Sequence, residues 1–216
     1  MIVASIIGVV LAILISIFVA LNPILFGLDT GVTTREIFVF DKHVILDGQL
    51  EILAAELGDH FDGYRNHCLR TLTFARYFLP KPVFDLYPNV LDVISVALAF
   101  HDLGTWTDVE LDYRNASAAQ MEYRVRREGV WDEDTIRTMR QIILGHHEIN
   151  EYTGGETDVI NDIVNAVRKA DWVDSTMGVI RYDMPAPLLE AAYHTNPDLH
   201  FHRRALQVSL GKLWSF

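Results

Sequence analysis

The run Val90–Phe100 constrains this chain more than any other stretch. From Val93 to Phe100 every residue but Ser95 is apolar, and Pro88 stands where a first helical turn begins. A helix apolar on all sides has to be surrounded by other elements, so the spacing predicts a buried central helix over residues 88–101. Where the run stops, His101 and Asp102 follow directly, with Leu103 and Gly104 after them. A buried imidazole–carboxylate pair is costly unless something compensates it, and a divalent cation compensates both groups at once. The plainer alternative is an ordinary helix end, with His101 on the last carbonyls and Gly104 as a left-handed cap.

The flanking sequence supplies the elements that such a helix needs. Leu50, Leu53, Ala54 and Leu57 form one apolar stripe, ended by Gly58. Tyr64, Cys68, Thr71, Leu72, Ala75 and Phe78 form a second at helical spacing, ended by Pro80 and Pro82. Further helices are expected over residues 117–127, 134–147 and 158–174, then over 188–194 and 199–214. No long alternating pattern argues for a sheet, and there is no repeat or low-complexity run. The fold class expected for residues 47–216 is all-α.

The front of the chain is different. Asp29 is the first charged residue, and before it only Ser5, Ser16 and Asn22 are clearly polar. About 20 apolar residues span a bilayer. A cleaved signal peptide would carry a basic start and a small-x-small cleavage site, and neither is evident. Residues 1–28 are therefore expected to be a retained transmembrane helix, with 29–46 a linker or a short strand pair. Arg35 and Lys42 follow the segment and no Lys or Arg precedes it. By the positive-inside rule this places the domain in the cytoplasm of a single-pass membrane protein. The lone Cys68 excludes an intrachain disulfide and fits a reducing compartment.

All 29 acidic and 18 basic residues lie beyond that segment, so the remainder carries the full net charge of −11. That argues against binding nucleic-acid polymers or anionic lipid non-specifically. It leaves room for a small anionic substrate in a pocket whose potential a metal reverses locally.

Candidate ligands recur at helix ends. His67 lies beside Cys68 on the second helix, and His146 and His147 close the fifth, each within a turn of Ile143. Asp171, four residues after Val167, puts a carboxylate on the core face of the sixth. Imidazole with carboxylate ligation suits zinc, iron, manganese, nickel or cobalt. His200 and His202 near the C-terminus read as surface residues.

The order His … His-Asp … Asp resembles the HD-domain superfamily of helical metal-dependent phosphohydrolases. Tyr64-Arg65-Asn66-His67-Cys68-Leu69-Arg70 resembles its first-histidine helix, residues 97–104 (ALAFHDLG) its core motif, and Lys169-Ala170-Asp171 its last ligand. The resemblance covers about residues 47–183. It implies an HD-type helical bundle in which His67, His101, Asp102 and Asp171 bind one divalent metal. Two-metal phosphodiesterases of the superfamily carry Lys where this chain has Thr105, and the further histidine of the oxygenase branch is absent there too. His146 and His147 stand where two-metal members hold a second ion, and they could equally hold substrate. Residues 101–105 (HDLGT) also resemble the cyanamide hydratase branch.

The function expected is hydrolysis of a phosphate ester, of a nucleotide or another small phosphorylated metabolite. Asp102 would be ligand and general base, His146 and His147 catalytic groups, and Arg70 and Lys169 the cations for the substrate's oxygens. Two alternatives stand beside it: metal-assisted hydration of a small neutral molecule such as a nitrile, and a membrane-tethered sensing domain without catalysis. A pocket without Arg70 or Lys169 near the metal would favour the neutral substrate.

Overall fold

The computed structural model describes residues 37–110 and 112–213. Residues 1–28, expected to be a membrane helix, lie outside them. Among the described residues no helix is long and apolar enough to cross a membrane.

The described chain is all-helical. In order it forms α1 (Val44–Ile52), α2 (Ala54–Leu57), a 3-10 turn (Gly58–His60), α3 (Phe61–Phe78), α4 (Lys81–Leu86) and α5 (Val90–Phe100). There follow α6 (Gly104–Thr107), α7 (Arg114–Glu128), α8 (Glu133–Gly145), α9 (Asp158–Ser175), α10 (Ala186–Thr195) and α11 (Phe201–Leu213).

The apolar run is central, as its composition requires. Every residue from Val93 to Phe100 is buried, and α5 packs against α1, α3, α7 and α8. The two long helices α3 and α9 pack along one another and form the other half of the core. Side chains close the helix starts: Asp132 accepts from the Thr135 amide at 2.8 Å before α8, and Thr157 accepts from the Ile160 amide at 3.3 Å before α9. Gly129 ends α7 at φ 67°, a left-handed turn that glycine adopts without strain.

Three boundaries differ from the sequence reading. The first helix begins at Val44, inside the stretch read as linker, and breaks at Leu53. Residues just before it are tied to the bundle: the Phe40 amide donates to Thr73 Oγ1 at 3.1 Å, and Asn196 Nδ2 donates to the Phe40 carbonyl at 2.8 Å. The fifth helix stops at Gly145, which leaves His146 and His147 in the turn beyond it. The short helices α4 and α6 were not visible as stripes, because four to six residues are too few for a period to show.

Two glycines set how closely the site elements approach. A Cβ on Gly104 would meet the Tyr113 Cβ and carbonyl oxygen, each at 2.8 Å, so only glycine lets residue 113 fold back over the His-Asp turn. A Cβ on Gly145 would sit 2.7 Å from Val164 Cγ1, against α9. These are the approaches that bring Tyr113, His146 and Asp171 into one region.

Candidate metal centre

Four side chains converge at the middle of the bundle. His67 comes from α3, His101 and Asp102 from the turn after α5, and Asp171 from the last turns of α9. His67 Nε2 and His101 Nε2 are 3.0 Å apart. Asp102 Oδ2 lies 3.5 Å from the first and 3.4 Å from the second. Asp171 Oδ1 lies 3.6 Å from both. Both histidines are wholly buried, and the two carboxylates are 8 % and 2 % exposed.

The remaining hydrogen bonds decide which ring nitrogens carry protons. His67 Nδ1 meets Asp174 Oδ2 at 2.6 Å, and His101 Nδ1 meets the Leu98 carbonyl at 2.7 Å. Those oxygens only accept, so each Nδ1 donates, and each Nε2 presents a lone pair when its ring is neutral. Two lone pairs thus face one another at 3.0 Å between two carboxylates. Asp171 Oδ1 is buried without a hydrogen-bond partner. With both rings neutral such a set repels itself, and a metal cation or a proton among the four atoms relieves it. Ligands about 2.1 Å from a metal lie about 3.0 to 3.4 Å from each other, close to the spacings here.

Charge agrees with geometry. Asp102, Asp171 and Asp174 are buried carboxylates, and one fixed cation, Arg70, lies among them. Arg70 pairs with Asp174, whereas Asp102 and Asp171 meet only imidazoles and hydroxyls, a setting that suits a divalent ion. Burial alone would lower the His67 pKa, but the hydrogen bonds to Asp102 and Asp174 outweigh it and raise it to about 9. Without metal, a proton is the substitute that these carboxylates attract. Burial would push the Asp102 carboxyl up, yet His101, His146 and His67 together hold it well below the usual carboxylate range.

A second group adjoins the first on its open side. His146 Nε2 is 3.3 Å from Asp102 Oδ1, and His147 Nε2 is 3.7 Å from Asp171 Oδ2. His146 Nδ1 donates to the Ile143 carbonyl at 2.6 Å, so its Nε2 also presents a lone pair, buried and without a hydrogen-bond partner. Burial and the neighbouring His146 lower the His147 pKa to about 3, so that ring is neutral at physiological pH. Its side chain is 23 % exposed, which makes it the most open of the candidate ligands.

Arg70 and Lys169 stand elsewhere than the sequence reading placed them. Arg70 is wholly buried behind His67: its Nε and one terminal nitrogen donate to Asp174 at 2.6 and 2.9 Å, and the other donates to the Asn196 carbonyl at 2.8 Å. It clamps the carboxylate that orients His67 and faces no substrate. Lys169 points away from the cluster, its Nζ 5.9 Å from the ring centres of Phe78 and Tyr182. A residue two before Asp171 is turned about 200° from it around a helix, which puts it on the other side.

Three further residues were missed. Asp174 lies three after Asp171 and shares its face, a spacing the sequence displayed. Tyr113 donates to Asp102 Oδ1 at 2.5 Å, across a close approach that only folding creates. His202, read as a surface residue, is largely buried: its Nε2 lies 3.4 Å from Asp174 Oδ2, and its Nδ1 bonds Asp198. His200 is exposed. No family model, no curated protein and no solved structure matches this chain.

Proposed function

We propose that this protein is an HD-type metal-dependent hydrolase that cleaves a small phosphate ester with a metal-activated water. The supporting observation is the pair of imidazole lone pairs, His67 Nε2 and His101 Nε2, held 3.0 Å apart beside two buried carboxylates. His67, His101, Asp102 and Asp171 would hold one zinc, iron, manganese, nickel or cobalt ion. When bound, such an ion lowers the pKa of a coordinated water towards ~7 and polarises a phosphoryl oxygen.

The chain's own residues divide the other tasks. Asp174 keeps a proton on His67 Nδ1, and the Leu98 carbonyl does the same for His101, so both rings present the correct nitrogen. Tyr113 occupies Asp102 Oδ1, which leaves Oδ2 as the ligand atom and makes Asp102 a poor general base. His147, neutral and partly exposed, stands on the open side as a contact for substrate or the attacking water, and its lowered pKa makes it a weak base. His146 and His147 together contact substrate or the attacking water.

One observation favours a second reading, hydration of a neutral molecule such as a nitrile. Neither Arg70 nor Lys169 offers a charge to the site, and Arg114 near His147 is bonded to Asp112 and Glu148. The deciding experiment is metal analysis of the purified full-length chain, followed by a screen against phosphorylated metabolites and small nitriles. Turnover of phosphate esters carries the first reading and turnover of nitriles alone the second. A chain that binds metal and turns over neither is the sensing domain.

We also propose that residues 1–28 anchor the chain in a membrane, with residues 37–213 on its cytoplasmic side. The support is 28 residues without a charge. The full-length chain should stay in the membrane fraction through a carbonate wash. A soluble chain shortened by roughly 20–28 residues would identify a signal peptide instead.

A further inference from the structure

The C-terminal helix α11 touches both halves of the metal centre. At its start, the Phe201 ring stacks on the His67 ring, centroids 4.4 Å apart and planes at 15°. The next residue, His202, closes on Asp174, the carboxylate that holds His67 Nδ1. At its other end, Lys212 Nζ donates to the carbonyls of Gly104 and Glu110, at 3.2 and 3.1 Å, and lies 5.5 Å above the Tyr113 ring. Gly104 belongs to the turn that carries Asp102, and Tyr113 bonds that carboxylate.

Between these ends Arg204 donates to the Asp59 carbonyl and Ala205 packs against the core, but the apolar burial of the helix is small. Phe201 is its one buried side chain among those described, and Leu210 is 38 % exposed. The turn leading into it runs through two successive left-handed residues that are not glycine, Leu199 at φ 47° and His200 at φ 67°. Both conformations are strained and persist only while the following contacts hold them. A helix with few buried apolar contacts and a strained entry opens more readily than the core around it.

We propose that α11 is a positioning strap for the metal centre: Phe201 directly, and His202 through Asp174, hold His67 in ligating geometry, and metal retention is coupled to docking of this helix. The inference rests on the metal site proposed above. Coupling is reciprocal, so bound metal tightens the helix by the same factor by which the docked helix tightens metal. Phe201 and His202 are positioning residues, since they act on the ion through His67 and Asp174.

Two measurements on the full chain test this. Hydrogen exchange is followed at the α11 amides with and without Zn²⁺, and again with Mn²⁺. Exchange across 201–213 should slow roughly 5- to 150-fold on loading, the usual range of coupling between two sites. Zinc affinity is then compared, by chelator competition, among the parent chain, Phe201→Ala, His202→Ala and the exposed α11 control Gln207→Ala. The first two should bind zinc 10- to 100-fold more weakly, the range seen when partners of metal ligands are removed, and the control should match the parent. If the parent binds metal while α11 exchanges at the same rate loaded and unloaded, the strap is refuted and the metal site stands. If the parent binds neither Zn²⁺ nor Mn²⁺, both ideas fall. Should Phe201→Ala not fold, the exchange measurement on the parent chain decides alone.

Discussion

The two sides of the candidate metal centre are built from the same residue types and finished differently. On the inner side, His67 is wholly buried, its second nitrogen is bonded to Asp174, and Asp174 is gripped by Arg70. On the outer side, His146 Nε2 has no hydrogen-bond partner, and His147 is partly exposed with a pKa near 3. A carboxylate and a guanidinium behind an imidazole lock its orientation, which suits a permanent ligand. An imidazole with an unused nitrogen on the more open side suits a group that touches substrate or the attacking water. On the proposed function, the contrast gives holding to one side and chemistry to the other.

Removing an inner ligand should have the largest effect. Asp102→Ala and His101→Ala should each lose bound metal and all turnover. The helical circular-dichroism signal should persist, because the apolar stripes of α3, α5 and α9 are untouched. Full metal occupancy in both variants would erase the distinction between the two sides.

Changing an outer histidine should leave the metal and cost turnover. His146→Ala or His147→Ala should keep near-normal metal content and lose roughly 10²–10⁴-fold in kcat, as for a positioned acid–base group. His146, His147 and Asp171 each offer a ligand atom within 4.8 Å of the others, so the outer side has a candidate ligand set of its own. A stoichiometry near two, falling to one in either variant, would make the outer histidines ligands and give both sides the same task.

A third test uses pH. Burial opposes protonation of His67, but Asp102 and Asp174 raise its pKa from 6.5 to about 9 in the metal-free chain. The proton's contribution to folding is therefore complete below about 6.5 and disappears as pH rises through about 9. Metal has to displace that proton, so apparent affinity should climb about tenfold per pH unit between 7 and 9 and then level off. Chelator competition across that interval measures it. A flat profile would mean that His67 is already unprotonated, and that the inner carboxylates exert less pull than their burial implies.

How much of this could be read from the sequence depended on whether spacing or closure carried the information. The stripes through α3, α5, α8 and α9 are local, so the helices were legible, and with them the faces bearing His67 and Asp171. The His-Asp turn stood out because an apolar run ended on it. Arg70, three residues after His67, was placed on the correct face, but spacing could not say whether it met substrate or another carboxylate. Asp174 was legible by the same rule that found Asp171. His202 was not, because its partners arrive only after the chain turns through Leu199 and His200 in a conformation that neither residue favours. Tyr113 depended on Gly104 admitting a close backbone approach, which no periodicity reports.

The smallest effect is expected at Lys169, and it bears on the charge of the substrate. Its ammonium lies 5.9 Å from the Phe78 and Tyr182 ring centres, and it is only partly buried. A weak cation–aromatic contact at such a position is worth little, and exposed substitutions of this kind change stability by about 0.5 kcal/mol or less. Lys169→Ala should therefore leave metal content and melting temperature unchanged, and shift KM by no more than about 2-fold, the equivalent of that energy. Uniform binding contacts with substrate appear as a higher KM at constant kcat. If KM for a phosphorylated substrate rose tenfold in this variant while kcat held, the side chain would be reaching the substrate's oxygens. The outer side would then carry a cation that the resting geometry turns away, and the case for a neutral substrate would lose its main support.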